Sequence, residues 1–425
     1  MSRFLSPVRW RFILLLAFAA GVYFFANLHR VAIPGAVFDR LQSRFGCQAS
    51  GVAGLGAAFM YVYAFMQPLT GLLLDRYGSG RVLAAGGMVF ITGLFCFSCS
   101  GRLFTACLSQ ILCGLGAGSI YLAVVKENMR TFRSHYNITL AVIILIGYAG
   151  GMAANAPLLL VIRKLGLSGT LLLNSIIAAG FLAAIWLLLL PGKLQKVHRD
   201  RTISPGDFLP VFRRRHNCKL YLFSALNFAL FYVLQTVIGK KFLLDFCNMQ
   251  DMDAGWVFSV TGMIAAFSGM AMAGLSHLLG NRRRVFCRVA GAVCAAVFGL
   301  ILLLMLLDVR GGAVYAALFM VLSGTASLSC IVIPLLRETN GSDMVGKAVS
   351  MLNFSFYLCV AILGNLAGLL LKCFTPTGRN GVEIYGREAW TTLFAVLFAG
   401  ALVVLFYSFQ MRETFGKTVA DIDES

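Results

Sequence analysis

The stretch Gly71-Leu72-Leu73-Leu74-Asp75-Arg76-Tyr77-Gly78-Ser79-Gly80-Arg81 decides how this chain is read, because it sets three charges in a glycine-rich turn between two long uncharged runs. It reads as a tight hairpin joining two membrane helices. Glycine permits the positive φ that such a turn demands, and Gly78 and Gly80 are the candidates for it.

Composition places those runs in a bilayer. Of 425 residues, 59% are apolar and 12% charged, against about 45–50% and about 25% in soluble domains. Hydrocarbon about 30 Å thick takes ~20 apolar residues per helical span, and a helix satisfies every backbone polar group internally. Twelve runs free of Asp, Glu, Lys and Arg reach this length: 12–28, 45–74, 82–101, 103–125, 134–162, 165–192, 220–239, 254–281, 289–307, 311–336, 348–371 and 389–411. The first extends through His29 and Arg30 toward Pro34, since a polar pair late in a span can face protein or water. The expected fold is therefore an all-α membrane protein of twelve transmembrane helices.

Lys and Arg in short loops stay on the cytoplasmic side. With the N-terminus inside, the cytoplasmic segments hold 24 of the 36 basic residues, so both termini are expected in the cytoplasm. The net charge of +19 follows from that bias and from anionic headgroups, without a nucleic-acid partner. Basic residues followed by an apolar run also resemble a secretory signal, but eleven further spans favour an uncleaved first helix. The integral, multi-pass location expected is a bacterial cytoplasmic (inner) membrane. Twelve cysteines are scattered mostly through apolar runs, and Cys96 with Cys99 is the one close pair. Packing as small hydrophobes is the reading, with no metal site.

Residues 193–219 carry eight Lys/Arg with Pro205 and Pro210 and divide the spans six and six. The expected organisation is an N-terminal bundle at 1–192, a cytoplasmic loop at 193–219 and a C-terminal bundle at 220–425. Parallel repeats should echo each other at a fixed offset. Asp75, Gly78 and Arg81 match His277, Gly280 and Arg283 at an offset of 202, and Lys126-Glu127 after the fourth span matches Arg337-Glu338 after the tenth.

These features resemble the major facilitator superfamily, whose signature after the second helix is Gly-x-x-x-Asp-(Arg/Lys)-x-Gly followed by basic residues. Gly71, Asp75, Arg76, Gly78 and Arg81 match it, while Ser79 and Gly80 stand where basic residues are usual. The resemblance implies two pseudo-symmetric six-helix bundles and a solute moved by alternating access. It implies that Asp75 latches one state by pairing with a basic residue or with a helix N-terminus of the other half near Gly346. Lys126, Glu127, Arg283, Arg337 and Glu338 are then gate residues.

The resemblance further implies that the first, fourth, seventh and tenth helices line the substrate cavity. Candidates are Tyr23, Asn27 and Arg30, Tyr121, Asn227, Tyr232 and Gln235, and Ser323, Thr325 and Ser327, with Asn155, Asn353 and Tyr357 on the fifth and eleventh. The run around Arg30 resembles the first helix of organic-anion carriers of the superfamily, the anion:cation symporters and organophosphate:phosphate antiporters. A guanidinium gives bidentate bonds to carboxylate or phosphate and stays charged when partly buried; the alternative is an Arg snorkelling at the membrane interface. Related symporters pair an acid with that Arg and carry another on the fourth helix, where this chain has His29 and Ala117. His29 is thus the candidate proton carrier, since imidazole titrates near neutral pH, the alternative being an interface residue.

Three Gly-x-x-x-Gly pairs, Gly114/Gly118, Gly147/Gly151 and Gly364/Gly368, put small residues on one helix face for close packing. The expected function is secondary active transport of a small anionic organic solute, coupled to an ion, with proton symport favoured. A multidrug or metabolite exporter is the second reading; Gly150-Gly151-Met152 lacks the proline usual in superfamily antiporters. A membrane-embedded enzyme would need clustered acids, histidines or a nucleophile with its base, but the five histidines are dispersed. A transporter-derived sensor would have lost the gate charges. No P-loop occurs, so an ion gradient is the expected drive. The partners expected are the solute, the coupling ion and the bilayer, with no cofactor and a monomeric state.

Overall fold

The structure is a computed structural model that describes residues 7–132, 136–189, 214–340, 342–379 and 382–417. Most of the expected central loop lies outside the described residues. Among them, ten helices are long and apolar enough to cross a membrane, and two shorter apolar ones occupy the expected fifth and tenth positions. Large side chains such as Phe104, Leu187, Leu278 and Leu306 are exposed on these helices, as a lipid-facing surface requires.

The chain forms two compact units, residues 1–32 with 58–203 and residues 33–57 with 204–425. The first holds α1 (Pro7–Ala32), most of α3 (Ala49–Tyr77), α4 (Ser79–Cys99), α5 (Leu103–Thr131), α6 (Tyr136–Ala153) and α7 (Ala156–Leu189). Gly166, at φ 70°, breaks α7, so the turn expected after the fifth span falls there. That span is itself interrupted between α6 and α7.

The second unit begins with a 3-10 turn (Gly35–Val37) and α2 (Phe38–Phe45), before the start of α3. It continues with α8 (Arg215–Val233), a π-helical turn (Leu234–Ile238), α9 (Gly239–Asp245), α10 (Asp251–Leu278), α11 (Arg283–Leu306), α12 (Gly312–Ser323), α13 (Ser329–Thr339), α14 (Ser342–Lys372) and α15 (Arg387–Ser408). The expected seventh span ended at Gly239, where charge begins; the helix instead runs on to Asp245. The expected tenth is split at 324–328, where backbone bonds tighten to Thr325 N–Leu322 O and Ala326 N–Ser323 O. An antiparallel hairpin of β1 (Thr377–Arg379) and β2 (Val382–Ile384), in register Gly378 to Glu383, joins α14 to α15.

Packing inside the units repeats. In the first, α1 lies on α6 and α4 on α7; in the second, α8 lies on α14 and α11 on α15. These are equivalent pairs, the first span on the fifth and the third on the sixth, as parallel repeats predict. Gly114 and Gly118 work as close-approach positions: a Cβ on Gly114 would stand 2.5 Å from Phe59 O, and one on Gly118 2.5 Å from Met66 Cβ. Side chains of any size there would force α5 off α3.

Candidate functional site

The turn that opens the sequence reading takes the expected form. Gly78 sits at φ 81° and its counterpart Gly280 at φ 68°, a conformation that glycine adopts without strain. Gly80 is not part of this device; it lies buried inside the first turn of α4 with helical neighbours. Asp75 accepts a 2.7 Å ion pair from Lys126 of the same unit. Both side chains are partly hydrated. Arg76 lies over the Tyr77 ring, Arg81 is exposed on α4, and Gly71 is half-buried on α3.

Glu127 and Glu338 occupy the same place in their own units. Glu127, 1% exposed, accepts from Ser79 Oγ at 2.6 Å and pairs with Arg130 at 2.6 Å. The Arg130 guanidinium also covers Phe12. Glu338 pairs with Arg283 at 2.9 Å and accepts from Thr414 Oγ1 at 2.5 Å, and Arg283 donates to Ser276 Oγ. In each unit a buried carboxylate at the end of one helix thus anchors the first turn of another, α4 or α11. Glu413 accepts from the backbone N–H groups of Arg283 and Arg284, completing the second anchor. Arg337 is exposed.

On α1, Tyr23, Asn27 and Arg30 fall at i, i+4 and i+7 and so share a face. Asn27 Nδ2 donates to Tyr23 O, and Arg30 Nη2 donates to Asn27 Oδ1. The guanidinium lies 5.4 Å from the Tyr63 ring centre, and Tyr23 stacks on Tyr121 at 5.4 Å. These residues form one cluster in the first unit, with Arg30 half-buried. Tyr63 was absent from the cavity candidates read from the sequence, which took no residue from the second span; its signal is the aromatic pair Phe59/Tyr63 at i, i+4, whose rings stack at 5.8 Å.

His29 faces elsewhere. It is 4% exposed, bonded to Gln110 Oε1 at 3.2 Å, and ringed by Phe59, Phe90 and Phe97. One helical residue turns a side chain by about 100°, so Arg30 and His29 project in different directions. Asn155 bonds to Gly151 O.

In the second unit, Phe228 stacks between Tyr232 at 5.0 Å and Phe356 at 4.9 Å, with Tyr357 edge-on at 5.8 Å. Asn353 is half-buried on α14. Asn227 Nδ2 donates to Thr325 O at 3.4 Å, while its Oδ1 is buried without a hydrogen-bond partner among the described residues. Gln235 is consumed by packing: Nε2 donates to Phe258 O, and Oε1 accepts from Thr261 Oγ1. Ser323, Thr325 and Ser327 bond to backbone carbonyls, Met320 O, Leu322 O and Ala265 O. The described residues contain no group of His, Cys, Asp or Glu able to hold a metal ion.

Comparison with known proteins gives these arrangements a context. A family model described as Major Facilitator Superfamily matches residues 13–364. A relative from Oryza sativa subsp. japonica, described as "Probable anion transporter 2, chloroplastic", is 25% identical over 211 residues, 48% of this chain and 38% of that protein. The match spans well under half of that relative. Among solved structures, the nucleoside transporter NupG superposes with a TM-score of 0.73 at 13% identity, over 96% of this chain and 99% of NupG. The peptide transporter POT in complex with sulfate gives 0.74 at 13% identity, over 94% of each chain. At such identity the likeness is one of fold.

Proposed function

This chain belongs to the Major Facilitator Superfamily, and from that premise we propose that it carries a small anionic organic solute across a membrane, driven by an ion gradient. The fold is that of membrane transporters, among them NupG and POT. The observation that carries the anionic reading is Arg30. Its guanidinium donates to an amide oxygen and lies over an aromatic face, on the side of α1 that also bears Tyr23 and Asn27. A guanidinium held this way keeps its fork oriented for a carboxylate or phosphate. The partial match to a relative described as an anion transporter points the same way.

The exporter reading draws on a different feature, the aromatic group Phe228, Tyr232, Phe356 and Tyr357, which suits an apolar or planar solute. The coupling proposed is proton symport, with His29, bonded to Gln110 within a ring of phenylalanines, as the carrier. A bacterial inner membrane, cytoplasmic termini and a monomer complete the proposal.

A thermal-shift screen of purified protein against carboxylates, phosphates, sugars, amino acids and nucleosides tests the solute class, because a ligand that binds the native state raises its apparent stability. Stabilisation by carboxylates or phosphates, lost in Arg30→Ala, is the expected result. A response confined to uncharged compounds overturns it.

A further inference from the structure

The second unit carries a basic face that neither the gate residues nor the solute cluster uses, where α15 packs against both α8 and α11. Arg284 and Arg288 stand four residues apart on α11 and so share one side of it. Arg284 Nη2 donates to Phe409 O, and the Arg288 guanidinium lies 5.4 Å from the centre of the Phe409 ring, itself 53% exposed. Three residues on, Arg412 is exposed, and its charge reaches His216 on α8, as does that of Lys219. Among the described residues, Arg288, Arg412 and Lys219 make no hydrogen bond and no ion pair, and Arg284 Nε, Arg288 Nε and His216 Nε2 are buried without a partner.

The carboxylates described at this end are engaged elsewhere. Glu338 pairs with Arg283, and Glu413 accepts from the backbone N–H groups of Arg283 and Arg284. Nor does the repeated plan demand the two arginines: at the offset of 202 that matches Arg283 with Arg81, the counterparts of Arg284 and Arg288 are Val82 and Gly86. Their depth suits a headgroup. Helix α11 begins at Arg283, which puts Arg288 about 7.5 Å along it, within a headgroup layer of roughly 5–8 Å on each side of the hydrocarbon. Deeper along the same helices the surface is apolar and exposed, with Val289 on α11, Leu402 and Phe406 on α15 and Leu222 on α8. An acyl chain therefore has a surface to lie on directly beneath guanidinium groups whose forks match a phosphate. A soluble phosphate would use only half of this arrangement.

We propose that this face binds the phosphate headgroup of an anionic phospholipid, with Arg288 as its central contact, Arg284, Arg412 and Lys219 around it, and the acyl chains along α11 and α15. The lipid offsets the mutual repulsion of these cations and so joins the ends of α8, α11 and α15. The site involves no residue of the α1 cluster and does not depend on the identity of the solute.

Titration of the full-length protein, delipidated in detergent, with phosphatidylglycerol and with phosphatidylcholine tests this, the first bound lipid being followed by native mass spectrometry. Phosphatidylglycerol should bind about tenfold more tightly than phosphatidylcholine. Arg288→Gln should weaken its binding by about tenfold, the scale of one lost charge-assisted bond. Arg288→Lys should keep part of the affinity, and Arg310→Gln, beyond the opposite end of α11, should leave it as it is. Lys219→Gln combined with Arg412→Gln should weaken binding as well, and serves in place of Arg288→Gln if that variant folds poorly. Equal binding of the two lipids, or phosphatidylglycerol binding unmoved by these substitutions, overturns the site. Displacement of the lipid by an equal concentration of glycerol 1-phosphate marks a site for soluble phosphate and overturns the lipid reading. No solute enters the measurement, so a failed Arg30 test leaves this result standing and the converse also holds.

Discussion

Arg30 shows how much a single position on α1 decides. Asn27 Oδ1 and the Tyr63 ring hold its guanidinium on the face of α1 that also bears Tyr23. Arg30→Ala should lower anion uptake by about 10–100-fold, the range for a lost hydrogen bond to a charged group, with unaltered folding by size-exclusion chromatography. Arg30→Lys should recover only part, since an ammonium lacks the planar fork. Equal uptake in all three proteins counts against the role. Glu338 and Arg283 make a contrasting pair, whose task is to hold α11. Arg283→Met strands a buried carboxylate at a cost of about 3–5 kcal/mol, visible as a lowered melting temperature. Arg283→Met with Glu338→Leu should regain most of that loss, and a double variant no better than the single one contradicts the pairing.

At the scale of elements, what the sequence discloses depends on whether the cause is local. The Gly71–Arg81 turn, the glycine faces of α5 and the paired Lys-Glu and Arg-Glu ends were legible because a few adjacent residues determine them. Gly118→Leu should drive α5 from Met66 on α3, lowering the yield of folded protein and its melting temperature, whereas the same change at Gly54, with open space around it, should do neither. The extension of the seventh span was not legible. A run of apolar residues ends at Gly239, and Lys240 and Lys241 look like solvent charges until Asp39, Asp251 and Glu383 are brought to them from elsewhere in the chain. The same holds for Tyr63, for the hairpin that carries Glu383, and for Gln235, whose amide bonds to Phe258 and Thr261 of α10. Polarity within a span marks a residue as needing a partner, and only the fold says whether that partner is protein.

For the molecule, the two units repeat one plan: equivalent helix pairings, positive-φ glycines at 78 and 280, and a buried glutamate anchoring α4 in one unit and α11 in the other. The excess of Lys and Arg on one set of loops predicts that both termini face the cytoplasm. Single cysteines introduced at the termini into a cysteine-free background should be protected from an impermeant maleimide in intact cells, and labelling of either terminus from outside contradicts that orientation. Uptake into proteoliposomes tests the central claim most directly. With an imposed ion gradient, wild-type protein should accumulate a labelled small carboxylate or organophosphate, an ionophore that collapses the gradient should abolish accumulation, and Arg30→Ala should remove most of it. Accumulation of neutral solutes alone, or anion uptake indifferent to both the gradient and Arg30, would contradict it.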